Sequence, residues 1–212
     1  RIPWLKAFHK ELWGLVFQRK CFAIEDPCPD DVIVPLKEVY KAKINAEGMI
    51  DKFKACIEFR GNLHNPTTGE DPWNPHADAV TFRFCLVICA RYGIHPAQHD
   101  FVMAYVQTEL KGERVFVEFP QAWNDLLPSS FRPYLNCPLR LLKALYGYYW
   151  SGKLLYDEQA AFFMTEGLRP LHAFPSFWIK HLPENGLLLA CQYSDDMMSG
   201  STDTAVHSQF KI

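Results

Sequence analysis

Nothing in these 212 residues approaches the run of about 18 apolar residues that a membrane-spanning helix requires. No basic-then-apolar leader opens the chain either, so neither a bilayer anchor nor a secretory signal is expected. The seven cysteines, Cys21, Cys28, Cys56, Cys85, Cys89, Cys137 and Cys191, contain no C-x-x-C pair. An odd number without that pairing reads as reduced, mostly buried thiols of an intracellular protein. Cys85 and Cys89 share a helical face, but two further ligands at zinc-site spacing are missing. Charge of one sign is missing as well. The formal net charge is -2, so no global field draws in a polyanion, and nucleic-acid contact has to come from local basic patches. No internal repeat occurs. The chain opens on Arg1 rather than Met and stops soon after an acidic turn, which reads as a piece of something longer.

What is present is apolar and aromatic. Hydrophobic residues make up 49% and aromatics 15%, with 15 prolines, a composition that excludes both disorder and a pure helical bundle. At this length one substantial core is expected, in one domain or in two intimately packed subdomains.

The most informative stretch is residues 187–200. The apolar run Leu187-Leu188-Leu189-Ala190-Cys191 leads through Gln192, Tyr193 and Ser194 to two adjacent carboxylates, Asp195 and Asp196, and a second apolar pair then leads to Ser199-Gly200. That pattern is a hairpin with acid at its tip. Adjacent aspartates repel, and Mg²⁺ is the natural counter-ion for a cluster of hard oxygens. Successive strand side chains point to opposite faces, so Asp195 and Asp196 are not equal ligands unless the turn bends between them. Asp195 is expected as the full ligand and Asp196 as the partial one. Ser-Asp-Asp is equally good chemistry for an ordinary surface turn.

Elsewhere, residues 4–15 place Trp4, Phe8, Leu12 and Leu15 on one helical stripe. Residues 21–31 read as loop. Two strands, 36–44 and 50–59, are joined by Asn45-Ala46-Glu47-Gly48, which suits a hairpin turn. They carry Lys37, Lys41, Lys43, Lys52, Lys54 and, just beyond, Arg60, the densest basic patch in the chain. It reads either as a solvated sheet face or as a grip for phosphates. Residues 61–78 read as loop, with His64 and His76 given no role. Residues 81–92 predict a buried helix capped by Thr81 and ended by Gly93. A short strand at 98–102 brings Asp100 to its end and feeds a helix, with His95 and His99 structural. Strands are expected at 115–119, 139–145, 177–180 and 187–193, and a helix capped at Ser151 over 151–166. Strands and helices mix without strict alternation, so the class is α+β with a mainly antiparallel sheet packed on helices.

Three separated stretches, in order, resemble the fingers and palm of the reverse transcriptase of copia-type (Pseudoviridae) LTR retrotransposons. Tyr193-Ser194-Asp195-Asp196 is similar to that family's Y-x-D-D box, and Gln98-His99-Asp100-Phe101-Val102-Met103-Ala104-Tyr105 to its Q-x-D-V-x-x-A-F/Y stretch. Leu141-Leu142-Lys143-Ala144-Leu145-Tyr146-Gly147, with Ser151 and Tyr156-Asp157 in step, resembles L-K-K-A-L-Y-G-L-K-Q-S-P-R-A-W-Y-D. Lys52-Phe53-Lys54-Ala55 and Thr81-Phe82-Arg83 resemble a fingers strand and a helix start. The likeness runs from about Trp4 to Gly200 in unbroken order. Departures are Glu38 for Trp, Cys56 for Arg, Phe174 for Asp, Gln192 for an apolar residue, and Tyr149 and Trp150 at the places of a Lys and a Gln.

The resemblance implies an RNA-directed DNA polymerase, a nucleotidyltransferase that adds deoxynucleotides to a primer 3′-hydroxyl by two-metal phosphoryl transfer. It implies two Mg²⁺ ions, with Mn²⁺ as substitute, held by Asp100, Asp195 and Asp196. It also implies that Lys54 meets the triphosphate, that Tyr105 discriminates against the ribose 2′-hydroxyl, and that Tyr146 and Gly147 line the nucleotide pocket. Residues 1–95 would be mostly fingers and 96–212 mostly palm, one integrated domain with the thumb missing. Partners would be an RNA template, a DNA or tRNA primer, deoxynucleoside triphosphates and the rest of a polyprotein with its thumb, integrase and RNase H, within a cytoplasmic virus-like particle and without a membrane. The competing expectation is a decayed or co-opted, non-catalytic remnant of the same fold that at most binds nucleic acid or protein. A metal-dependent phosphohydrolase built on the same acids is disfavoured, because no residue presents itself to activate a water.

Overall fold

The computed structural model describes residues 2–64, 71–110 and 114–210. In chain order the elements are helix α1 (Ile2–Trp13), strands β1 (Phe22–Ile24), β2 (Ile33–Pro35), β3 (Lys37–Ile44) and β4 (Ile50–Glu58), helix α2 (Ala79–Tyr92), strands β5 (Ala97–Asp100), β6 (Phe116–Glu118) and β7 (Leu139–Leu141), helix α3 (Ser151–Thr165), strands β8 (Arg169–Leu171), β9 (Phe174–Leu182), β10 (Gly186–Tyr193) and β11 (Asp196–Ser201), and helix α4 (Thr204–Gln209). The class is α+β, and every pairing is antiparallel except that of β2 with β6. The chain forms two compact units that interleave in sequence: Arg1–Asp71 with Tyr105–Ser151, and Pro72–Ala104 with Gly152–Ile212.

The first unit holds the β3–β4 hairpin and a four-stranded sheet in the order β1-β7-β6-β2. The stripe foreseen on α1 is real. Phe8 and Leu12 on the helix are buried, as is Leu15 in the π-helical turn (Gly14–Gln18) that continues it, and Trp4 meets Tyr40 and Phe53 edge-on at 5.4 and 4.5 Å. The apolar face of the hairpin therefore rests on α1. On its opposite face Lys41 stands across from Lys54 and Lys43 across from Lys52, while Lys37 is paired with Glu58 at 2.9 Å. Residues 21–31 are not all loop, since Phe22–Ile24 pairs with β7. Pro27, Pro29 and the acids dominate the local composition, and the partner strand lies more than a hundred residues away.

The second unit is built on a five-stranded antiparallel sheet, β5-β11-β10-β9-β8. The two-residue period of β10 splits the acidic hairpin's apolar run between two cores. Leu187, Leu189 and Cys191 pack with Phe177, Met198 and α2's Cys85 and Cys89. Leu188 and Ala190 pack with Trp178, Met197, α3's Ala160 and Phe163, and Phe210 just beyond α4.

Four expectations are corrected here. The N-cap of α2 is Asp78, whose Oδ1 accepts from both the amide and the hydroxyl of Thr81 at 2.7 Å; Thr81 is the recipient of the cap. Only one stripe of α2 is buried, and Val80, Leu86 and Val87 are exposed. Asp100 feeds turns and a single 3₁₀ turn, Tyr105–Gln107, rather than an α-helix; Met103, at φ 55°, interrupts helical geometry there. Finally, Ser151 is the first residue inside α3 rather than the residue before it, and its hydroxyl donates to the Leu145 carbonyl at 2.5 Å. Gly93 does end α2, in the left-handed conformation at φ 65°.

Candidate active site

The acidic tip is a two-residue turn. Tyr193 and Asp196 close the β10–β11 ladder, leaving Ser194 and Asp195 as the loop, with Ser194 at φ 53°. A positive φ at the first loop position matches the right-handed twist of the flanking strands. β5 then pairs with the outer side of β11 with Asp100 directly opposite Asp196, and the Phe101 amide donates to the Asp195 carbonyl at 2.9 Å. Three carboxylates from two segments nearly a hundred residues apart thus share one end of one sheet. Cross-strand partners point to the same face, so Asp100, Asp196 and Tyr193 stand on the α2 side. Asp195 sits in the bend that separates it from its neighbour. The register pairs Asp196, rather than Asp195, with Asp100.

Asp100 and Asp196 are exposed and Asp195 half-buried. Among the described residues of this unit no basic side chain forms an ion pair with any of them. Gln98 Nε2 reaches Asp196 Oδ1 at 3.5 Å, the outer limit of a hydrogen bond. The donor set, hard anionic oxygens beside open solvent, is of the chemical type that Mg²⁺ takes. Among the described residues no three metal-binding side chains are drawn together as a finished cluster.

His99, one residue before Asp100, points the other way, and its Nε2 lies 2.7 Å from the buried Ser199 hydroxyl, which lies 2.9 Å from His207 Nε2. Its structural reading stands. Burial, helped by His207, lowers the His99 pKa.

Directly behind the turn, Gln192 is buried. Its Oε1 accepts from Trp178 Nε1 at 3.3 Å, its Nε2 donates to Gln159 Oε1, and its carbonyl accepts from the Ala77 amide at 3.0 Å. A polar residue where apolar ones are the rule is thereby satisfied by β9, α3 and the segment before α2. Sequence reasoning noticed Gln192 but not its partners; a second buried glutamine on α3 was the available signal.

The other four expected site residues belong to the first unit. Tyr105 and Tyr146 meet edge-on at 4.7 Å and 86°. Gly147 has φ 82°, and a Cβ there would lie 2.2 Å from the Phe59 carbonyl oxygen, so only glycine fits. The Phe59 amide donates to the Tyr146 carbonyl at 2.8 Å, which fastens this turn to the end of β4. Lys54 is half-buried on β4. It lies near Cys56 and near Glu11, whose carboxyl is pushed up by burial and pulled back by the Lys54 charge. Glu38, where tryptophan is usual, accepts from the buried Trp123 Nε1 at 2.8 Å.

Curated proteins resemble this chain along nearly all of it. It is 23% identical over 204 residues to the Retrovirus-related Pol polyprotein from transposon RE2 of Arabidopsis thaliana, a match covering 96% of this chain and 14% of that protein. The Pol polyprotein from transposon RE1 of the same plant is 21% identical over 206 residues, covering 97% and 14% respectively. The chain therefore spans about a seventh of the length of the curated relatives it matches. No protein-family model matches it. These similarities support an origin in a retrotransposon polyprotein.

Proposed function

We propose that this chain is the fingers-and-palm portion of an RNA-directed DNA polymerase from a retrotransposon polyprotein. The observation that carries the reading is the β5–β11 register, which sets Asp100 opposite Asp196 and ties Phe101 to Asp195. The ordered Y-x-D-D and Q-x-D resemblances and the similarity to Pol polyproteins support it.

Asp100, Asp195 and Asp196 would hold two Mg²⁺ ions, or Mn²⁺ in their place. When bound, such ions acidify an attacking hydroxyl and stabilise charge building on a transferred phosphoryl group. The chain's own contribution is placement: a short turn and a neighbouring strand end keep the carboxylates at one edge, Asp100 and Asp196 exposed and Asp195 half-buried. Lys54 is assigned to the triphosphate, Tyr105 to exclusion of a 2′-hydroxyl, and Tyr146 with Gly147 to the nucleotide pocket. The template would be RNA and the primer DNA or tRNA. No helix among the described residues is long and apolar enough to cross a membrane.

Primer extension on an RNA template with Mg²⁺ tests this, using the chain continued through the polyprotein segment that follows it. Extension by wild type and its loss in Asp195→Asn are expected; equal extension by both would refute the assignment. A second reading, a non-catalytic remnant, is favoured by Tyr149 and Trp150, an exposed and a buried ring meeting edge-on at 5.1 Å where the family carries Lys and Gln. Calorimetric titration with Mg²⁺ and a deoxynucleoside triphosphate separates the two, since a remnant gives no metal-dependent binding heat.

A further inference from the structure

On the α2 side of the acidic hairpin lies a cavity of about 120 Å³ whose walls include Phe82, Gln98, Cys191, Tyr193, Asp196 and Met198. Cavities of roughly this size hold a ligand of only a few heavy atoms. Cys191 is the nucleophilic atom in that wall. It is almost fully buried in the fold, yet its side chain borders a space whose rim carries the exposed Tyr193 and Asp196.

Cys191 does not stand alone. Cys85, on α2 and fully buried, packs in the same core as Cys191, near enough for each thiol to shift the other's proton affinity. Its neighbour Cys191, then burial, and then Cys89 drive the Cys85 pKa up, while Cys85 pulls the Cys191 pKa down against the burial that opposes it. Cys191 borders the cavity and Cys85 does not, so a small solute reaches Cys191 first, and the thiol packed behind it is placed to attack in turn.

We propose that this cavity is a thiol oxidation site, where a small hydroperoxide oxidises Cys191 and Cys85 then closes a Cys85–Cys191 disulfide between α2 and β10. In the first step the Cys191 sulfur attacks one peroxide oxygen, the O–O bond breaks, and Cys191 becomes a sulfenic acid. The departing oxygen leaves as water, or as an alcohol from an organic hydroperoxide, carrying the thiol proton. In the second step the Cys85 sulfur attacks the Cys191 sulfur, the S–O bond breaks, and the hydroxyl leaves as water with the Cys85 proton. Two thiols lose two hydrogens and two electrons, and one peroxide gains them. The product would tie the helix carrying Phe82 to the strand that ends in the acidic turn.

The test is stoichiometric hydrogen peroxide on the folded chain, followed by alkylation and peptide mapping. Two of the seven free thiols should be lost, recoverable with dithiothreitol, in one cross-link between the peptides bearing Cys85 and Cys191. Cumene hydroperoxide, too bulky for the cavity, should form it more slowly. Cys85→Ser removes the resolving thiol and should leave a sulfenic acid on Cys191 that dimedone traps. Cys191→Ser should abolish the cross-link, with near-ultraviolet circular dichroism checking that each variant folds. A cross-link between Cys85 and Cys89, or oxidation of the exposed Cys28 with Cys191 untouched, overturns the proposal.

Discussion

Asp196 faces Asp100 directly across the β5–β11 ladder, a pairing of like charges on adjacent strands. Such pairs are destabilising where nothing neutralises them. In metal-free buffer, Asp100→Asn should therefore raise the denaturation midpoint of the chain. Millimolar Mg²⁺ should raise the wild-type midpoint and leave the variant less affected. Chemical denaturation with EDTA or with Mg²⁺ checks this; a variant no more stable than wild type in EDTA counts against the close approach.

The buried Trp178–Gln192–Gln159 chain gives a second test. Gln192→Leu leaves the Trp178 indole N–H and the Gln159 carbonyl without their partner, at a cost of roughly 1–3 kcal/mol. Adding Gln159→Leu should cost less than the sum of the single changes, because the second orphan is removed with its side chain. Urea unfolding in a double-mutant cycle measures the coupling, and simple additivity would mean that the amides do not act together.

Gly147→Ala should be among the most damaging small changes in the first unit. A left-handed φ costs a non-glycine residue about 1–3 kcal/mol, and the added methyl meets backbone at the Phe59 carbonyl rather than a side chain that swings aside. Because the Phe59 amide donates to the Tyr146 carbonyl, the shift should also disturb the Tyr105–Tyr146 contact. A lowered midpoint together with a changed tyrosine signal in near-ultraviolet circular dichroism is expected; an unchanged midpoint contradicts the described turn.

Asp78 supplies a pH dependence. Two hydrogen bonds from Thr81 hold its pKa below the ordinary aspartate value, so the folded state prefers the charged carboxylate. The cap's contribution is complete above the unfolded aspartate pKa and is lost as pH falls through the depressed folded value. The stability gap between wild type and Asp78→Ala should be constant near neutrality and shrink in acid. A gap that widens on acidification would have the wrong sign for this cap.

If the polymerase reading holds, Tyr105→Ala should raise ribonucleotide relative to deoxyribonucleotide incorporation, on the order of tenfold or more, as expected when a pocket loses a wall. Incorporation ratios measured by single-nucleotide extension decide it, and an unchanged ratio removes Tyr105 from that role.

Local chemistry made some of this molecule readable in advance and left the rest hidden. The β3–β4 hairpin was legible because Asn45-Ala46-Glu47-Gly48 turns the chain between two runs of strand-forming residues, and α3 because Gly167 ends it. The acidic tip was legible because an apolar run ends abruptly in two carboxylates. Strand β1 was hidden because its partner is distant, and the cap of α2 was misplaced because Thr81 looks like a cap when it is the residue being capped. The opposition of Asp196 to Asp100 is a register, set by tertiary pairing, and no stretch of either strand encodes it alone. The Cys85–Cys191 contact is of the same kind: each thiol reads as plain core until helix and strand are brought together.

The interleaving of the two units has a consequence for how the polypeptide is made and cut. The sheet of the first unit cannot close until residue 141 has left the ribosome, since β1 waits for β7, and the second cannot close until β11 has followed. No single peptide-bond cleavage separates the two bodies whole from one another, because each has a segment lying between the segments of the other. A single cut between residues 72 and 151 therefore parts the segments of both units at once.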